Sequence, residues 1–218
     1  MTGAMSPEVQ PPTPPRRPAR GAPESAPFHA DVADAPAEAA AFWVTTPSGT
    51  RVRIARLAQG ERGTVLVFPG RTEFVEKYGR TAAALKARGY GTACLDWRGQ
   101  GMSDRPLSDP ATGHVDSFEE YQEEVGALLG ALPALGLEGP LHLIGHSMGG
   151  GIGLRAVLSG LPVRSAAVTG PMWGIALSPF WRPSARAVSA AGRFFGLGAR
   201  YAPGHTPESY VKVAAFED

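Results

Sequence analysis

The chain has one cysteine and no long apolar run. Cys94 alone excludes a framework of internal disulfides, and its position in an apolar segment predicts a buried thiol. No apolar run approaches the length of a membrane span, and the first residues lack a hydrophobic signal core. The formal net charge is +1 and 43% of the residues are hydrophobic, which is typical of a globular domain. We therefore expect a cytoplasmic protein without a nucleic-acid partner.

Acidic residues are absent from residues 139–207, and this absence excludes one function. Gly151, Gly153 and Ala156 fit the dinucleotide-binding pattern G-x-G-x-x-A. That pattern needs an acidic residue roughly 20 positions further on to bind the ribose. Because none follows, we reject dinucleotide binding. We also predict no metal ion and no cofactor, since no cluster of side chains has the spacing of metal ligands.

The first 27 residues are rich in proline, alanine and serine and have almost no bulky apolar side chains. Such a segment cannot bury enough surface to offset the entropy lost on ordering. The sequence therefore predicts a disordered tail over residues 1–27.

After the tail, strand and helix patterns alternate, which predicts a parallel α/β sheet with ligands beyond the carboxyl ends of its strands. Ser117 and Glu120 match a capping box, in which each side chain satisfies the other residue's backbone N–H. Strands are predicted at residues 41–46, 51–58, 63–68, 90–97, 141–144 and 163–169, and helices at residues 78–88, 117–135 and 150–159.

Residues 140–154 combine a buried strand, a tight glycine turn and the start of a helix. Gly145, Ser147 and Gly149 match G-x-S-x-G, the nucleophile elbow. Small flanking residues allow the serine a strained backbone, which lifts its hydroxyl clear of the sheet at the N-terminus of the helix. Backbone N–H groups such as that of Met148 can stabilise an oxyanion there. The alternative is a glycine-rich loop without catalytic function, because this motif alone is common.

Three motifs at successive strand ends are more specific together than any one of them. They are Gly70-Arg71, the segment LDWRGQGMS at residues 95–103, and GHSMGG at residues 145–150. In this combination the chain resembles the serine α/β-hydrolases, in particular the bacterial lysophospholipase and monoacylglycerol lipase branch. The resemblance implies the α/β-hydrolase fold, a mostly parallel sheet with flanking helices. It places the core at residues 28–170 and the start of a helical cap at residues 171–218.

The resemblance also implies roles for individual residues. Ser147 would be the nucleophile that forms an acyl-enzyme, and the backbone N–H groups of Arg71 and Met148 would form the oxyanion hole. His114, in a loop above the sheet, is a candidate substrate contact. The elbow itself would be shaped by Gly145, His146 and Gly149.

Other residues near these motifs have structural roles in this interpretation. Pro69 stands where the family has a histidine. The residues after Pro69 keep their backbone N–H groups, so the change does not remove the donor expected for the oxyanion hole. The Arg71 side chain is expected to pair with Glu73 or Glu76. In the next strand end, the side chains of Asp96 and Arg98 are expected to brace the turn.

A serine hydroxyl needs a histidine that takes its proton and a carboxylate that orients the histidine. In this family both follow the serine, each after a later strand. Here the residues after Ser147 supply only His205, Glu208, Glu217 and Asp218, and none of them follows a strand-like run. His142 is expected to pack inside its buried strand. We therefore expect a chain that is truncated at its C-terminal end, with the last strands and the acid and base of the triad missing.

Two functions stay open at this point. The first is hydrolysis of carboxylic esters, with a lysophospholipid or monoacylglycerol as the small-molecule substrate. The second is a non-catalytic α/β-hydrolase-like chain that binds a lipid or another partner. A variant of the first keeps the chemistry but acts on a thioester, an amide or a small ester, because the elbow does not specify the acyl donor.

Arg186, Arg193 and Arg200 recur every seven residues, roughly on one face of a helix. One interpretation is a cap that meets an anionic membrane surface, peripheral to the inner face of the membrane. The other is a solvated helix face that pairs with acids elsewhere in the domain. The sequence leaves both open.

Overall fold

The computed structural model describes residues 23–109, 111–174, 178 and 180–199, in which seven strands form one mixed sheet. The strand order is β1-β2-β3-β5-β4-β6-β7. Strands β1, β2, β3 and β5 pair antiparallel, whereas β5, β4, β6 and β7 pair parallel. The strands are β1 (Glu24–Ala26), β2 (Ala40–Thr45), β3 (Arg51–Ala58), β4 (Thr64–Phe68), β5 (Gly91–Leu95), β6 (Leu141–His146) and β7 (Val163–Thr169).

Five α-helices and two 3-10 helices accompany these strands within the described residues. The α-helices are α1 (Ala30–Ala33), α2 (Gly79–Lys86), α3 (Glu120–Ala131), α4 (Met148–Leu158) and α5 (Arg182–Phe194). The 3-10 helices, Val75–Tyr78 and Leu132–Leu135, precede α2 and follow α3. All six predicted strands are present as β2 to β7, and the three predicted helices are present as α2, α3 and α4. The predicted α/β-hydrolase fold is thereby confirmed.

The central strand β4 is buried on both faces, which explains its continuous apolar sequence. Alternate side chains of a strand point to opposite faces. Leu66 and Phe68 enter the core that α3 and α4 cover, whereas Val65 and Val67 enter a second core on the side of α2. The sheet therefore lies between two helical layers.

The predicted tail extends too far along the chain. Residues 24–26 form β1, in which Glu24 pairs with Trp43 and Ala26 with Ala41 of β2. Pro27 is also held, because its carbonyl oxygen accepts a hydrogen bond from Arg53 Nη1 at 2.9 Å. Composition alone does not reveal a segment that is ordered by backbone pairing to an edge strand. Residues 1–22 of the predicted tail lie outside the described residues.

The predicted capping box at the start of α3 is wrong. Helix α3 begins at Glu120, and the Ser117 hydroxyl accepts a hydrogen bond from the backbone N–H of Glu119 at 3.2 Å. The Glu120 carboxylate pairs with Arg98 instead of returning to the Ser117 backbone. A buried arginine attracts nearby carboxylates strongly, and Arg98 pairs with Glu124 as well as with Glu120.

Strand β7 and helix α5 are more exposed than the rest of the described chain. In β7, Val163 is half-buried and the six residues that follow are exposed. Helix α5 is exposed along most of its length, and among its residues whose burial is described only Ala185 and Gly192 are half-buried. None of the described helices is both long and apolar enough to cross a membrane. The division into core and cap stays a prediction.

Candidate active site

Ser147 lies between β6 and α4 in a backbone conformation that is rare for a residue with a side chain. Its φ is 49° and its ψ is −116°, outside the regions that L-residues normally occupy. Hydrogen bonds to residues before and after the turn maintain this strained conformation. The Ser147 N–H donates to the carbonyl oxygen of Thr169 at 2.9 Å, and the Ser147 carbonyl accepts from the N–H groups of Gly150 and Met172 at 3.0 and 2.9 Å. The half-buried serine is thus fixed at the start of the helix.

The glycines of the elbow are required by close contacts between backbones. A Cβ atom on Gly149 would lie 2.1 Å from the carbonyl oxygen of Phe68 and 2.4 Å from that of Pro69. A Cβ atom on Gly145 would lie 2.9 Å from Gly150 Cα. The start of α4 therefore packs directly on the end of β4. This contact brings the Met148 segment next to the segment that leads to Arg71.

The first N–H groups of a helix have no partner inside the helix and carry its positive dipole end. Met148 is the first residue of α4 and its side chain is buried. Its backbone N–H is therefore suited to bind an anion that forms on a ligand beside Ser147. The assignment of Arg71 and Met148 to an oxyanion hole stays a prediction.

The loop after β4, which carries Arg71, is fixed by side chains from three directions. The indole Nε1 of Trp97 donates to the Pro69 carbonyl at 2.9 Å, and the Gly70 N–H donates to Glu73 Oε2 at 2.6 Å. Thr72 has a left-handed φ of 63°, and its N–H donates to Gln100 Oε1 at 2.7 Å. The backbone of Arg71 is therefore held between two anchored residues.

The expected ion pair of Arg71 with Glu73 or Glu76 is not formed. The Arg71 guanidinium donates to the carbonyl oxygens of Gly113 and Thr112 at 3.2 and 3.1 Å. The two carboxylates have other cations: Glu73 pairs with Lys77, and Glu76 pairs with Arg53. Arg71 thus ties the loop after β4 to the loop that carries His114.

Glu73 is buried beside the elbow and remains ionised. It accepts hydrogen bonds from Lys77 Nζ and Tyr78 OH at 2.5 Å each, in addition to the bond from Gly70. Burial alone would raise the pKa of Glu73, but these hydrogen bonds outweigh burial and lower the pKa below its ordinary value. His146 lies next to this carboxylate, with Nε2 3.7 Å from Glu73 Oε1 and Nδ1 2.8 Å from Thr169 Oγ1.

Asp96 braces the turn after β5, as predicted. Its carboxylate accepts from the backbone N–H groups of Val75 and Met102 at 2.9 Å and from Arg53 Nε at 2.7 Å. Arg53 also donates to both carboxylate oxygens of Glu76 at 2.8 Å. All three charged side chains are buried. Arg53 could not be identified from the sequence, because an arginine in a strand is ordinarily a surface residue.

Arg98 braces the other side of the same turn, which confirms the second structural prediction. It forms ion pairs with Glu120 and with the fully buried Glu124, whose carboxylate also accepts from the Arg98 backbone N–H at 3.0 Å. Burial raises the pKa of Glu124 to about 7, although the bonds from Arg98 act in the opposite direction. These contacts connect the carboxyl end of β5 to α3.

The histidines do not all lie where the sequence predicted them. His142 was expected to pack in a buried strand, but it is half-buried, with Nδ1 2.8 Å from Ser165 Oγ and its ring edge-to-face with Tyr90. It alternates with Leu143, whose side chain packs against α4, so it lies on the opposite face of β6, beside exposed β7. His114 contacts Asp116 at 2.9 Å, and its role as a substrate contact stays a prediction.

The remaining triad candidates, His205, Glu208, Glu217 and Asp218, lie outside the described residues. In the part of the chain that the structure describes, no group of three or more histidine, cysteine or acidic side chains could hold a metal ion. The chemistry available at the described site is therefore that of a fixed serine hydroxyl, backbone donors and a helix N-terminus.

Comparison with known proteins places this arrangement among hydrolases. Residues 59–210 match the model of the family described as serine aminopeptidase, S33. The chain is 36% identical over 128 residues to lysophospholipase L2 of Escherichia coli (strain K12), an alignment that covers 58% of this chain and 38% of that protein. It is 33% identical over 99 residues to the monoglyceride lipase of Saccharomyces cerevisiae, covering 45% of this chain and 31% of that protein.

The structure is also similar to a solved one, that of DcsB in complex with its substrate analogue. The TM-score is 0.63 at 18% sequence identity, covering 75% of this chain and 56% of that chain, so the similarity concerns the fold. The chain spans less than two fifths of the length of the curated relatives it matches. The sequence matches confirm the resemblance to lysophospholipases and monoacylglycerol lipases.

Proposed function

The chain belongs to the serine aminopeptidase S33 family of hydrolases, and from that premise we propose that it is a serine hydrolase of carboxylic esters. The observation that carries the proposal is the backbone of Ser147, whose φ of 49° is maintained between β6 and α4 by hydrogen bonds from both sides. A fold maintains such strain where the geometry has a use. Here it presents a hydroxyl at the N-terminus of a helix.

The proposed reaction begins with attack of Ser147 Oγ on the ester carbonyl carbon. The carbonyl oxygen becomes an oxyanion, which the backbone N–H groups of Met148 and Arg71 stabilise. Collapse of this intermediate releases the alcohol and leaves the acyl group on the serine. Water then attacks the acyl-enzyme and releases the carboxylic acid. Both donors belong to backbone segments that are held by neighbouring residues, so they are positioned before the charge develops.

The proton of the Ser147 hydroxyl must pass to a base and then to the leaving alcohol. His146 is bonded to Thr169, His142 to Ser165 and His114 to Asp116. The histidine that follows Ser147 in the sequence, His205, lies outside the described residues. In the proposal the base is a histidine that follows the serine in the chain, in keeping with the family's order.

Lipid esters are the substrates that we propose. The relatives named for their substrates are a lysophospholipase and a monoglyceride lipase, so the candidates are a lysophospholipid and a monoacylglycerol. The family description names an aminopeptidase, which supports an amide as the alternative acyl donor. Hydrolysis of a lysophospholipid, a monoacylglycerol, an aminoacyl anilide and a small aryl ester, compared at equal enzyme concentration, separates these substrates.

A non-catalytic chain that binds a lipid or a partner is the second candidate. The contacts of the described histidines favour it, because each of His114, His142 and His146 has a hydrogen-bond partner other than Ser147. This candidate predicts that lipid binds without any covalent reaction at Ser147.

Labelling with a fluorophosphonate probe tests the proposal, because the probe reacts with an activated serine. We expect labelling of a protein that contains the histidine and the acid of the triad, and loss of this labelling in Ser147→Ala. Ser159→Ala, an exposed serine at the end of α4, is the matched control and should label as the unchanged protein does. Labelling that persists in Ser147→Ala would refute the assignment of the nucleophile. Lipid binding by a protein that does not label would favour the second candidate.

The proposal also includes a location. We place the enzyme in the cytoplasm with a peripheral contact on the inner face of an anionic membrane, since its proposed substrates are lipids. The arginine-rich segment after β7 is the part of the chain that suits such a contact.

A further inference from the structure

The turn after β5 contacts the loop after β4 at two points, one on each side of Arg71. Strands β4 and β5 are parallel neighbours, so their carboxyl ends lie side by side. On one side of Arg71, the indole Nε1 of Trp97 donates to the Pro69 carbonyl at 2.9 Å. On the other side, Gln100 Oε1 accepts from the Thr72 N–H at 2.7 Å. The turn after β5 thus holds both flanks of the residue that is proposed to donate to the oxyanion.

Gln100 is itself fixed in a buried position, with only 5% of its surface exposed. Its backbone N–H donates to the Trp97 carbonyl at 2.8 Å, and its carbonyl accepts from the Ser103 N–H at 3.1 Å. A Cβ atom on Gly113 would lie 2.8 Å from Gln100 Nε2, so the amide packs between two loops. A backbone N–H can only donate, so the amide oxygen must face Thr72. The acceptor is therefore in place before any ligand binds.

Thr72 depends on this acceptor because its backbone is strained. Its φ of 63° is in the left-handed region that residues with a side chain rarely adopt. The cost of that conformation is similar to the contribution of one hydrogen bond. The Thr72 N–H belongs to the same peptide group as the Arg71 carbonyl, which accepts from the Thr72 hydroxyl at 2.6 Å. If the bond to Gln100 is lost, a return of Thr72 to a negative φ rotates this peptide group.

The N–H of Arg71 belongs to the preceding peptide group, which joins Gly70 to Arg71. The neighbouring groups on both sides are fixed, one by the bond from the Gly70 N–H to Glu73 at 2.6 Å and the other by Gln100. With both neighbours fixed, this group can reverse only by a half-turn that gives Arg71 a positive φ. Arg71 is not among the described residues with a positive φ. The N–H therefore keeps one orientation as long as both neighbouring groups stay fixed.

We propose that Gln100 is a positioning residue for ester hydrolysis, which orients the backbone N–H of Arg71 through Thr72. The inference rests on the proposed function, because the orientation matters only if an oxyanion forms beside Ser147. A donor that is aligned before the charge develops stabilises the transition state without reorganisation. A misaligned donor lowers kcat more than it raises KM, since the interaction is made mainly in the transition state.

Three substitutions separate the acceptor from the packing of the side chain. Gln100→Met keeps the length of the side chain, but its sulfur is a weak acceptor. Gln100→Glu keeps an oxygen that accepts from the Thr72 N–H. Gln122→Met is the matched control, because the Gln122 amide on α3 also bonds to the backbone, at the Ile152 carbonyl 3.3 Å away.

The measurement is kcat and KM for a p-nitrophenyl ester and for the thionoester of the same acid, with a protein that contains the histidine and the acid of the triad. Sulfur accepts hydrogen bonds weakly, so the thionoester gains less from the oxyanion hole. Loss of one oxyanion donor costs about 100-fold or more in kcat. We expect Gln100→Met to lower kcat for the ester about tenfold or more, to change KM by less than about twofold, and to lower the preference for the ester by a similar factor to kcat. Gln100→Glu and Gln122→Met should keep the parent's values.

The preference between the two substrates also controls for stability. Partial unfolding lowers the turnover of both substrates equally, so it leaves their ratio unchanged. A second variant, Gln100→Asn, keeps a polar amide but is shorter by one methylene group, so its oxygen does not reach the Thr72 N–H. This variant should also lose preference for the ester, and it tests the proposal if Gln100→Met does not fold.

The outcomes distinguish this inference from the proposed function. If the parent hydrolyses neither substrate, the proposed function fails and the inference fails with it. If the parent hydrolyses the ester while Gln100→Met and Gln100→Asn keep its preference for the ester, the inference alone is wrong. An equal loss of preference in Gln100→Glu or in Gln122→Met would also overturn it, because the effect would not follow the acceptor of the Thr72 N–H.

Discussion

Two arginines that precede Ser147, Arg53 and Arg98, and two that follow it, Arg182 and Arg186, have opposite environments. Arg53 and Arg98 are buried, and each is bonded to two carboxylates. Arg182 and Arg186 are exposed, in a stretch without acidic residues. The same residue type thus fixes the loops on one side of the elbow and gives the other side its charge. The difference follows from the position of the acidic residues in the sequence.

The buried arginines matter because the loops that they fix lie next to Ser147. Arg53 and Asp96 together hold the segment that runs from the end of β4 into α2, through Glu76 and the N–H of Val75. That segment contains Arg71, whose backbone N–H is a proposed oxyanion donor. The rigidity of the candidate site therefore depends on ion pairs that lie outside it.

The largest effect should come from breaking a buried cluster. Arg53→Met leaves the buried carboxylates of Glu76 and Asp96 without their common cation. We expect the free energy of unfolding to fall by about 3–5 kcal/mol, the usual cost of removing one partner of a buried ion pair. Urea unfolding measures this cost. Arg186→Met, the exposed counterpart, should change it by less than about 0.5 kcal/mol, and equal losses would remove the distinction between the two sets of arginines.

The next effect concerns the contact of the elbow with β4. Gly149→Ala places a methyl group where the carbonyl oxygen of Phe68 would be 2.1 Å away, so the start of α4 must move. We expect the rate of fluorophosphonate labelling to fall by about 100-fold, since small displacements at a reacting centre cost that much. Gly174→Ala, after β7, meets no atom within 4 Å and should label normally. A normal rate in Gly149→Ala would show that the close contact is dispensable.

The effect of pH should be smaller and should come from Glu124. Its pKa in the folded protein is about 7, raised by burial, whereas an unfolded glutamate titrates near 4.3. Between these values the folded state binds more protons than the unfolded state, so this carboxyl contributes a loss of stability as pH rises. We expect Glu124→Gln to remove a slope that amounts to about 3 kcal/mol over this range, since one pKa unit corresponds to about 1.4 kcal/mol. Glu119→Gln, an exposed neighbour, should keep the slope, and an unchanged slope in Glu124→Gln would assign it to other groups.

The smallest effect is expected from an exposed ion pair after the elbow. Arg155 on α4 contacts Glu119 at 2.9 Å, and the side chains are 50% and 70% exposed. Arg155→Gln should lower the free energy of unfolding by about 0.5 kcal/mol or less, and the difference should vanish at high salt. A loss of several kcal/mol would mean that arginines after Ser147 also hold the fold together.

The sequence predicted the elements that depend on residues close together in the chain. Strand β4 is a continuous apolar run, and the elbow needs glycines because the backbones of Phe68 and Gly149 touch. Interactions between distant segments were missed. Strand β1 is ordered by backbone pairing to β2, and the Glu120 side chain turns to Arg98 instead of capping its helix. Neither partner can be identified from the spacing of residues along the chain.

In the candidate site, too, the sequence predicted the local motifs but not the contacts between distant side chains. The strained serine, its glycines and the adjacent end of β4 follow from motifs that the sequence carries. The buried cluster of Arg53, Glu76 and Asp96 does not, because it joins residues far apart in the chain through side chains that sequence patterns place on the surface.

The most direct test of the central claim is to identify the residue that carries an acyl group during ester hydrolysis. The protein is mixed with a p-nitrophenyl ester, quenched with acid, digested and analysed by mass spectrometry. We predict an acyl adduct on Ser147 that is absent from Ser147→Ala and that forms more slowly in Gly149→Ala. An adduct on another residue, or product release with no adduct and no loss in Ser147→Ala, would contradict the account.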